Sequence, residues 1–229
     1  MRIKGVLFDF DGTLTFPGAL DFPAIKERLG CPLDQPILEY LETQPATRRG
    51  ELTKILEEIE EGAAETSRPN NGAERCLFSL HKKGFRLGIL TRNRLSSVKR
   101  ALEKFDSISI GDFAAFITRE FSLPKPHPEG VQRAAMQMGL LPEEILVVGD
   151  FRFDVMAGKA AGAKTVLLTN GGRSVMSPGD PEPDYTFSCL EELLDILCPP
   201  PSRIPSGEPL QDIGGPQRDE DAKHHCSRE

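Results

Sequence analysis

The chain has 229 residues, 38% hydrophobic and 28% charged, with a formal net charge of −7. Such usage is that of an ordinary globular protein, long enough for one core domain with a small insert. The acidic balance argues against nucleic acid and anionic membrane as partners, because both repel it; a small anionic substrate stays possible where a local site opposes the global charge. The five cysteines, Cys31, Cys76, Cys189, Cys198 and Cys226, are odd in number and form no CxxC pair. They indicate free thiols in a reducing compartment, not a disulfide framework or a zinc site. No apolar run approaches the roughly 20 residues that cross a bilayer, and acids interrupt the opening apolar stretch before any signal-peptide core. The expected location is the cytoplasm.

In chain order, Lys4–Phe10 is a short apolar run that reads as a buried strand entering a loop. Residues 16–71 are rich in helix formers, with helices expected over Asp21–Leu29, Asp34–Leu41 and Thr47–Ala64, punctuated by Pro32, Pro36 and Pro45. Helix and strand signals then alternate. Helices are expected at Ala73–Lys83, Leu95–Phe105, Pro128–Met138, Asp154–Ala161 and Leu190–Leu197. Strands are expected at Arg86–Leu90, Ala114–Ile117, Ile145–Gly149, Lys164–Leu168 and Tyr185–Phe187. The alternation predicts an α/β fold, a doubly wound, Rossmann-like parallel sheet, with a small α-helical cap insert. The core would comprise residues 1–15 and 72–198, and the cap residues 16–71. Residues 199–229 open on three prolines and lack apolar periodicity, which predicts a disordered tail.

Four segments carry chemistry. In Phe8-Asp9-Phe10-Asp11-Gly12-Thr13, two acids sit at the carboxyl end of a strand, where open α/β sheets place active groups. Two positions apart on an extended chain, Asp9 and Asp11 address one pocket, one as nucleophile and the other as proton shuttle. In Leu90-Thr91-Arg92-Asn93, the Thr91 hydroxyl and the amides of Arg92 and Asn93 can hold a phosphoryl oxygen near a helix start. In Pro124-Lys125-Pro126-His127, prolines on both sides present Lys125 rigidly as a charge stabiliser, and His127 reads as a turn residue. In Gly149-Asp150-Phe151-Arg152-Phe153-Asp154, Asp150 is an oxygen ligand for a hard cation and Asp154 lies one helical turn on. Sparse carboxylates plus a substrate phosphate suit Mg2+.

In this order and at these strand ends, the four segments resemble the haloacid dehalogenase superfamily of phosphatases over roughly residues 3–197. The resemblance implies Asp9 as nucleophile, Asp11 as general acid/base, Thr91 as phosphoryl ligand and Lys125 as stabiliser of the charged intermediate. It further implies Mg2+ held by Asp9, the Asp11 backbone carbonyl and Asp150, with Asp154 orienting the metal's waters. An acid two places after the nucleophile points to phosphoryl transfer and away from dehalogenation. The run Asp154–Gly162 and the helical insert resemble the subgroup of phosphoglycolate phosphatases and β-phosphoglucomutases. The implied reaction is hydrolysis of a small phosphorylated metabolite. A phosphomutase is the rival, and a non-catalytic scaffold is the reading of another class. Asp11 and Thr91 are only about 80 residues apart, so the lid is expected to be reduced. Most of its charges are expected on a solvated face, with Arg48 and Arg49 either paired to nearby glutamates or reading the substrate.

Overall fold

A computed structural model describes residues 2–199. The tail expected beyond residue 199 lies outside the described residues. Six strands, β1 (Gly5–Phe8), β2 (Arg86–Leu90), β3 (Phe113–Ile117), β4 (Ile145–Gly149), β5 (Lys164–Leu168) and β6 (Tyr185–Phe187), form one sheet in the order β3-β2-β1-β4-β5-β6. Every neighbouring pair is parallel. The helices are α1 (Phe22–Leu29), α2 (Ile37–Glu42), α3 (Ala46–Thr66), α4 (Ala73–Lys82), α5 (Leu95–Leu102), α6 (Glu129–Met138), α7 (Arg152–Ala161) and α8 (Glu192–Leu197).

The doubly wound sheet follows from central strands, β1 and β4, that are apolar on both faces. In β1, Val6 and Phe8 join a cluster with Leu77 and Leu80 of α4, Val98 and Leu102 of α5, and Leu193 of α8. Leu7, pointing the other way, packs with Val131, Ala134 and Met138 of α6 and Ala157 of α7. Alternate side chains of an extended strand face opposite sides, so continuous hydrophobicity demands helices on both faces. The order of strands reverses between β1 and β4. The carboxyl ends on either side of that switch form the natural crevice of such a sheet, and they carry Asp9 and Asp150.

The first expected strand stops earlier than its composition suggests. After Phe8 the chain turns into an irregular helical loop, Phe10–Leu14, broken by Asp11 at ψ 118° and Gly12 at φ 83°. Only glycine adopts that φ without strain, and a Cβ on Gly12 would lie 2.3 Å from Asp150 Oδ2. Helix α7 begins two residues before the expected Asp154, which places Asp154 in its first turn. Helix α5 ends three residues before the expected Phe105, at Leu102, and α2 starts only after Pro36, which lacks an amide hydrogen.

Helices α1, α2 and α3 share their own apolar cluster of Ile25, Leu29, Leu41, Leu52 and Leu56. The chain leaves for this insert and returns from it side by side. Thr15 bridges Pro69 in antiparallel fashion, Phe16 N–H donates to the Arg68 carbonyl at 2.9 Å, and the Arg68 guanidinium stacks on the Phe16 ring. At its carboxyl end α3 enters the core, where Ala64 joins the cluster of β1 and α5.

Candidate active site

Strand β1 delivers Asp9, β2 delivers Thr91 and β4 delivers Asp150, all at carboxyl ends and therefore on one edge of the sheet. Asp154 folds back over the end of β4 from the first turn of α7. That approach needs Gly149, where a Cβ would fall 2.1 Å from the Asp154 carboxyl carbon. Its carboxylate also accepts from Phe151 N–H at 3.1 Å, which closes the start of α7. Lys125, only 4% exposed, comes from the loop before α6 and donates to Asp9 Oδ1 at 2.6 Å and to Asp154 Oδ1 at 2.5 Å. One carboxylate oxygen each from Asp9, Asp150 and Asp154 lie within 4.8 Å of one another.

The electrostatics of this cluster are severe. Burial and the neighbouring Asp9 and Asp154 push Asp150 up to about 8. Burial likewise lifts Asp154 to about 6 against the pull of Lys125, and raises Asp9 above the ordinary carboxylate value. Burial pulls Lys125 down, but the carboxylates of Asp154 and Asp9 more than reverse this, so its ammonium stays charged. With all four ionised, three carboxylates and one ammonium leave a formal charge of −2 in a buried pocket. A hard divalent cation is the natural complement to that charge and to an all-oxygen donor set. The residues therefore fit the ion that the sequence calls for.

Asp11 stands apart from this trio. Its carboxylate accepts from Asn93 Nδ2 at 3.0 Å, and burial raises it to about 6 even though Asn93 opposes the shift. Any contribution of Asp11 to a metal would come from its backbone carbonyl, not its side chain. Thr91 is buried, and its hydroxyl accepts from Asn93 N–H at 3.0 Å, so this amide, expected to face a phosphoryl oxygen, is engaged by Thr91. The Arg92 side chain turns outward: it donates to Glu39 Oε2 at 2.5 Å and to the Lys125 carbonyl, joining the insert to the lysine loop. His127 is exposed and accepts from Glu129 N–H at 3.2 Å, a turn role as expected.

Of the two readings of the insert's arginines, pairing with nearby glutamates is the one the structure shows. Arg48 pairs with Glu51 and Arg49 with Glu42, both at the surface. The cross-contacts run the other way, from glutamates of the insert to arginines of the core: Glu39 to Arg92, Glu57 to Arg94, Glu60 to Arg119 and Glu65 to Arg100. Glu60 is 5% exposed. It continues the apolar stripe Leu52, Leu56, Glu60, Ala64, spaced by four along α3. A charged residue on such a stripe is the sequence signal that it has a buried partner. The insert leaves a cavity of about 10 Å3 beside Asp11, lined by Phe10, Ala63, Ala64, Asn93 and Ser97 among others, which is about the space of one water.

Asn70 and Asn170 are further residues at the site that the sequence did not single out. The Asn170 amide donates to the Gly12 carbonyl at 2.8 Å, and the Asn70 amide donates to the Thr13 carbonyl at 2.9 Å. In the sequence Asn70 reads only as part of a turn-forming run.

Comparison with known proteins agrees with this picture. The model of the family described as haloacid dehalogenase-like hydrolase matches residues 16–168, a stretch that contains Thr91, Lys125, Asp150 and Asp154. An uncharacterized hydrolase of Saccharomyces cerevisiae is 33% identical over 173 residues, covering 74% of this chain and 78% of its own. The pyrophosphatase PpaX of Anoxybacillus flavithermus is 32% identical over 227 residues, covering 86% of this chain and 98% of its own. A protein from Bacillus subtilis, solved bound to magnesium, shares the fold with a TM-score of 0.61 at 22% identity, over 86% of this chain and 100% of that one. No helix among the described residues is long and apolar enough to cross a membrane. With its six-stranded parallel sheet, its acids at the switch point and its match over most of the length, the chain belongs to the haloacid dehalogenase-like hydrolases.

Proposed function

We propose that the protein is a Mg2+-dependent phosphatase that hydrolyses a small phosphate monoester through an aspartyl-phosphate on Asp9. The observation that carries this reading is the buried cluster of Asp9, Asp150 and Asp154 with Lys125 inside it and Asp11 alongside. Asp9, Asp150 and the Asp11 carbonyl would hold Mg2+, with Asp154 orienting its waters. When bound, the ion withdraws charge from the phosphoryl oxygens. The steps belong to the side chains. A carboxylate oxygen of Asp9 attacks phosphorus while the bond to the leaving oxygen breaks. Asp11, protonated, donates its proton to that oxygen. Water then attacks the aspartyl-phosphate, Asp11 takes the water's proton, and the bond from phosphorus to Asp9 breaks to release phosphate. Thr91 binds a phosphoryl oxygen, and Lys125 offsets the negative charge that crowds between Asp9 and the phosphoryl group.

Residues 16–71 act as the cap in this reading. The space beside Asp11 holds about one water. An opening of about 180 Å3 beside Asp150, lined by Pro17, Thr169, Asn170 and Arg173 among others, has room for a small leaving group. The paired segments at Thr15 and Pro69 are the hinge on which the insert would close over it. A phosphomutase would need a basic cap to retain a bisphosphate; here the insert turns glutamates towards the core, which favours hydrolysis. The relatives' names, pyrophosphatase among them, support a small phosphorylated metabolite as substrate. The test is turnover of an aryl phosphate with Mg2+, followed by acid quench and mass spectrometry of the peptide carrying Asp9. Phosphate release together with a phosphorylated Asp9 is the expected result. No turnover, or turnover with the phosphoryl group on another residue, would overturn the reading.

A further inference from the structure

The turn between Asp9 and Leu14 has a problem of hydrogen bonding. Gly12 at φ 83° takes the chain out of any regular ladder, so the carbonyls of Gly12 and Thr13 lose strand and helix partners in a largely buried region. Two asparagine side chains meet that need. Asn170, at the end of β5 and itself in the left-handed region at φ 51°, donates to the Gly12 carbonyl at 2.8 Å. Asn70, 7% exposed, donates to the Thr13 carbonyl at 2.9 Å and to Asn170 Oδ1 at 3.0 Å, with a longer contact of 3.5 Å to the Gly12 carbonyl. Asn70 is itself held, since its Oδ1 accepts from Asn71 N–H and its N–H donates to the Leu14 carbonyl, each at 2.8 Å. From the same turn the Thr13 hydroxyl donates to Asp150 Oδ1 at 3.2 Å.

We propose that Asn70 and Asn170 form an amide brace whose task is to orient the Asp11–Thr13 turn, and so to set the Asp11 carbonyl and the Asp150 carboxylate for the cation. They are positioning residues, not catalytic ones: their amides reach backbone carbonyls and each other. The chain of contacts has three links. The brace fixes the Gly12–Thr13 peptide; that peptide fixes its neighbour, which bears the Asp11 carbonyl; and the Thr13 hydroxyl restrains Asp150 from the other side. Loss of an outer hydrogen bond to a metal ligand characteristically weakens metal binding by 10–100-fold. The two amides come from segments 100 positions apart in the chain, the return from the insert and the end of β5, and they meet over this turn.

The inference rests on the Mg2+ reading of the site, and the test separates the two. Wild-type protein, Asn170→Gly and Asn70→Ala are compared by calorimetric titration with Mg2+ and by steady-state hydrolysis of an aryl phosphate. Asn170→Gly keeps the left-handed backbone accessible at an exposed position while deleting the amide, so it serves even if Asn70→Ala fails to fold. Mg2+ bound by the wild type about tenfold or more tightly than by Asn170→Gly, with kcat lowered and KM for the aryl phosphate little changed, is the expected result. A lower Tm with Mg2+ affinity and kcat unchanged would reduce the brace to a structural tie and overturn the proposal. Failure of the wild type to bind Mg2+ or turn over would instead strike the functional reading on which it rests.

Discussion

Lys125 Nζ donates to Asp9 Oδ1 at 2.6 Å, so the acid that attacks in the proposed mechanism has a fixed ammonium against one oxygen and its other oxygen out of that bond. An amide at this position keeps the shape and removes the nucleophile. Asp9→Asn should therefore lower turnover of an aryl phosphate by several orders of magnitude. It also removes one acid from an overcrowded pocket, so Tm in the presence of chelator should stay level or rise. Near-normal turnover in the folded variant would refute Asp9 as nucleophile.

Asp11 supplies a pH signature. Burial lifts it to about 6 from an ordinary value of 3.8, so its protonated form persists to higher pH in the native site. A poor leaving group needs that proton. Hydrolysis of an alkyl phosphate should then fall about tenfold for each unit of pH above the raised value. An activated aryl phosphate departs without a proton, and its rate for the first step should stay flat across the same range. Parallel profiles for the two substrates, followed by rapid quench, would remove Asp11 from the role of acid.

Protons and the cation compete for the same carboxylates. With Asp150 raised to about 8 and Asp154 to about 6, the native site without metal holds protons that the unfolded chain releases near 3.8. These groups therefore favour the native state at pH below about 4, and their contribution is lost as pH rises through 6 and then 8. Mg2+ binds the deprotonated set, so the rise in Tm between chelator and Mg2+ should be larger at pH 8 than at pH 5. Ca2+ should raise Tm as well but support little turnover, because it prefers more ligands at longer distances. Thermal scans with an equal shift at both pH values would contradict this assignment of the carboxylates.

The ion pairs of the insert differ sharply in burial, and mutations should rank accordingly. Glu60→Ala leaves Arg119, whose side chain is 13% exposed, without its partner, and should cost about 3–5 kcal/mol. For a domain of this size that lowers Tm by roughly 10 °C. Arg49→Ala removes a solvated pair with Glu42 and should stay within about 0.5 kcal/mol. Arg48→Ala and Arg49→Ala should also lower kcat/KM for a phosphorylated metabolite no more than for an aryl phosphate. A selective loss for the metabolite would return these arginines to the substrate site.

The alternation of strands and helices was legible because the central strands are largely apolar and are followed by a recognisable polar residue, as Ile145–Gly149 is by Asp150. That Asp9, Asp150 and Asp154 gather in one place was legible for the same reason: Asp9 and Asp150 each follow a buried strand, although an acid there can also simply cap a loop or a helix. The brace was not. Asn70 reaches Thr13 across 57 positions, and Asn170 reaches Gly12 across 158. Asparagines in turn-forming runs look alike whether or not they hold a distant carbonyl. Glu60 was hidden differently. Insert helices full of glutamate suggest a wet face, and only its register with Leu52 and Leu56 marks it as inward.

The pairing of Thr15 with Pro69 has an evolutionary consequence. Both ends of the insert emerge from one point, so the sheet does not register how many residues lie between them. In the proposed reading the insert would work as a replaceable cartridge. A segment of another length or another surface can be plugged into the same socket while Asp9, Thr91, Lys125 and Asp150 stay where their strands and loops put them. Four ion pairs on long side chains cross the seam beside the apolar contact of Ala64 with the core, so a new cartridge needs matched charges as well as a fit of shape. Diversification of one hydrolytic core towards many leaving groups then requires change at a single place in the chain.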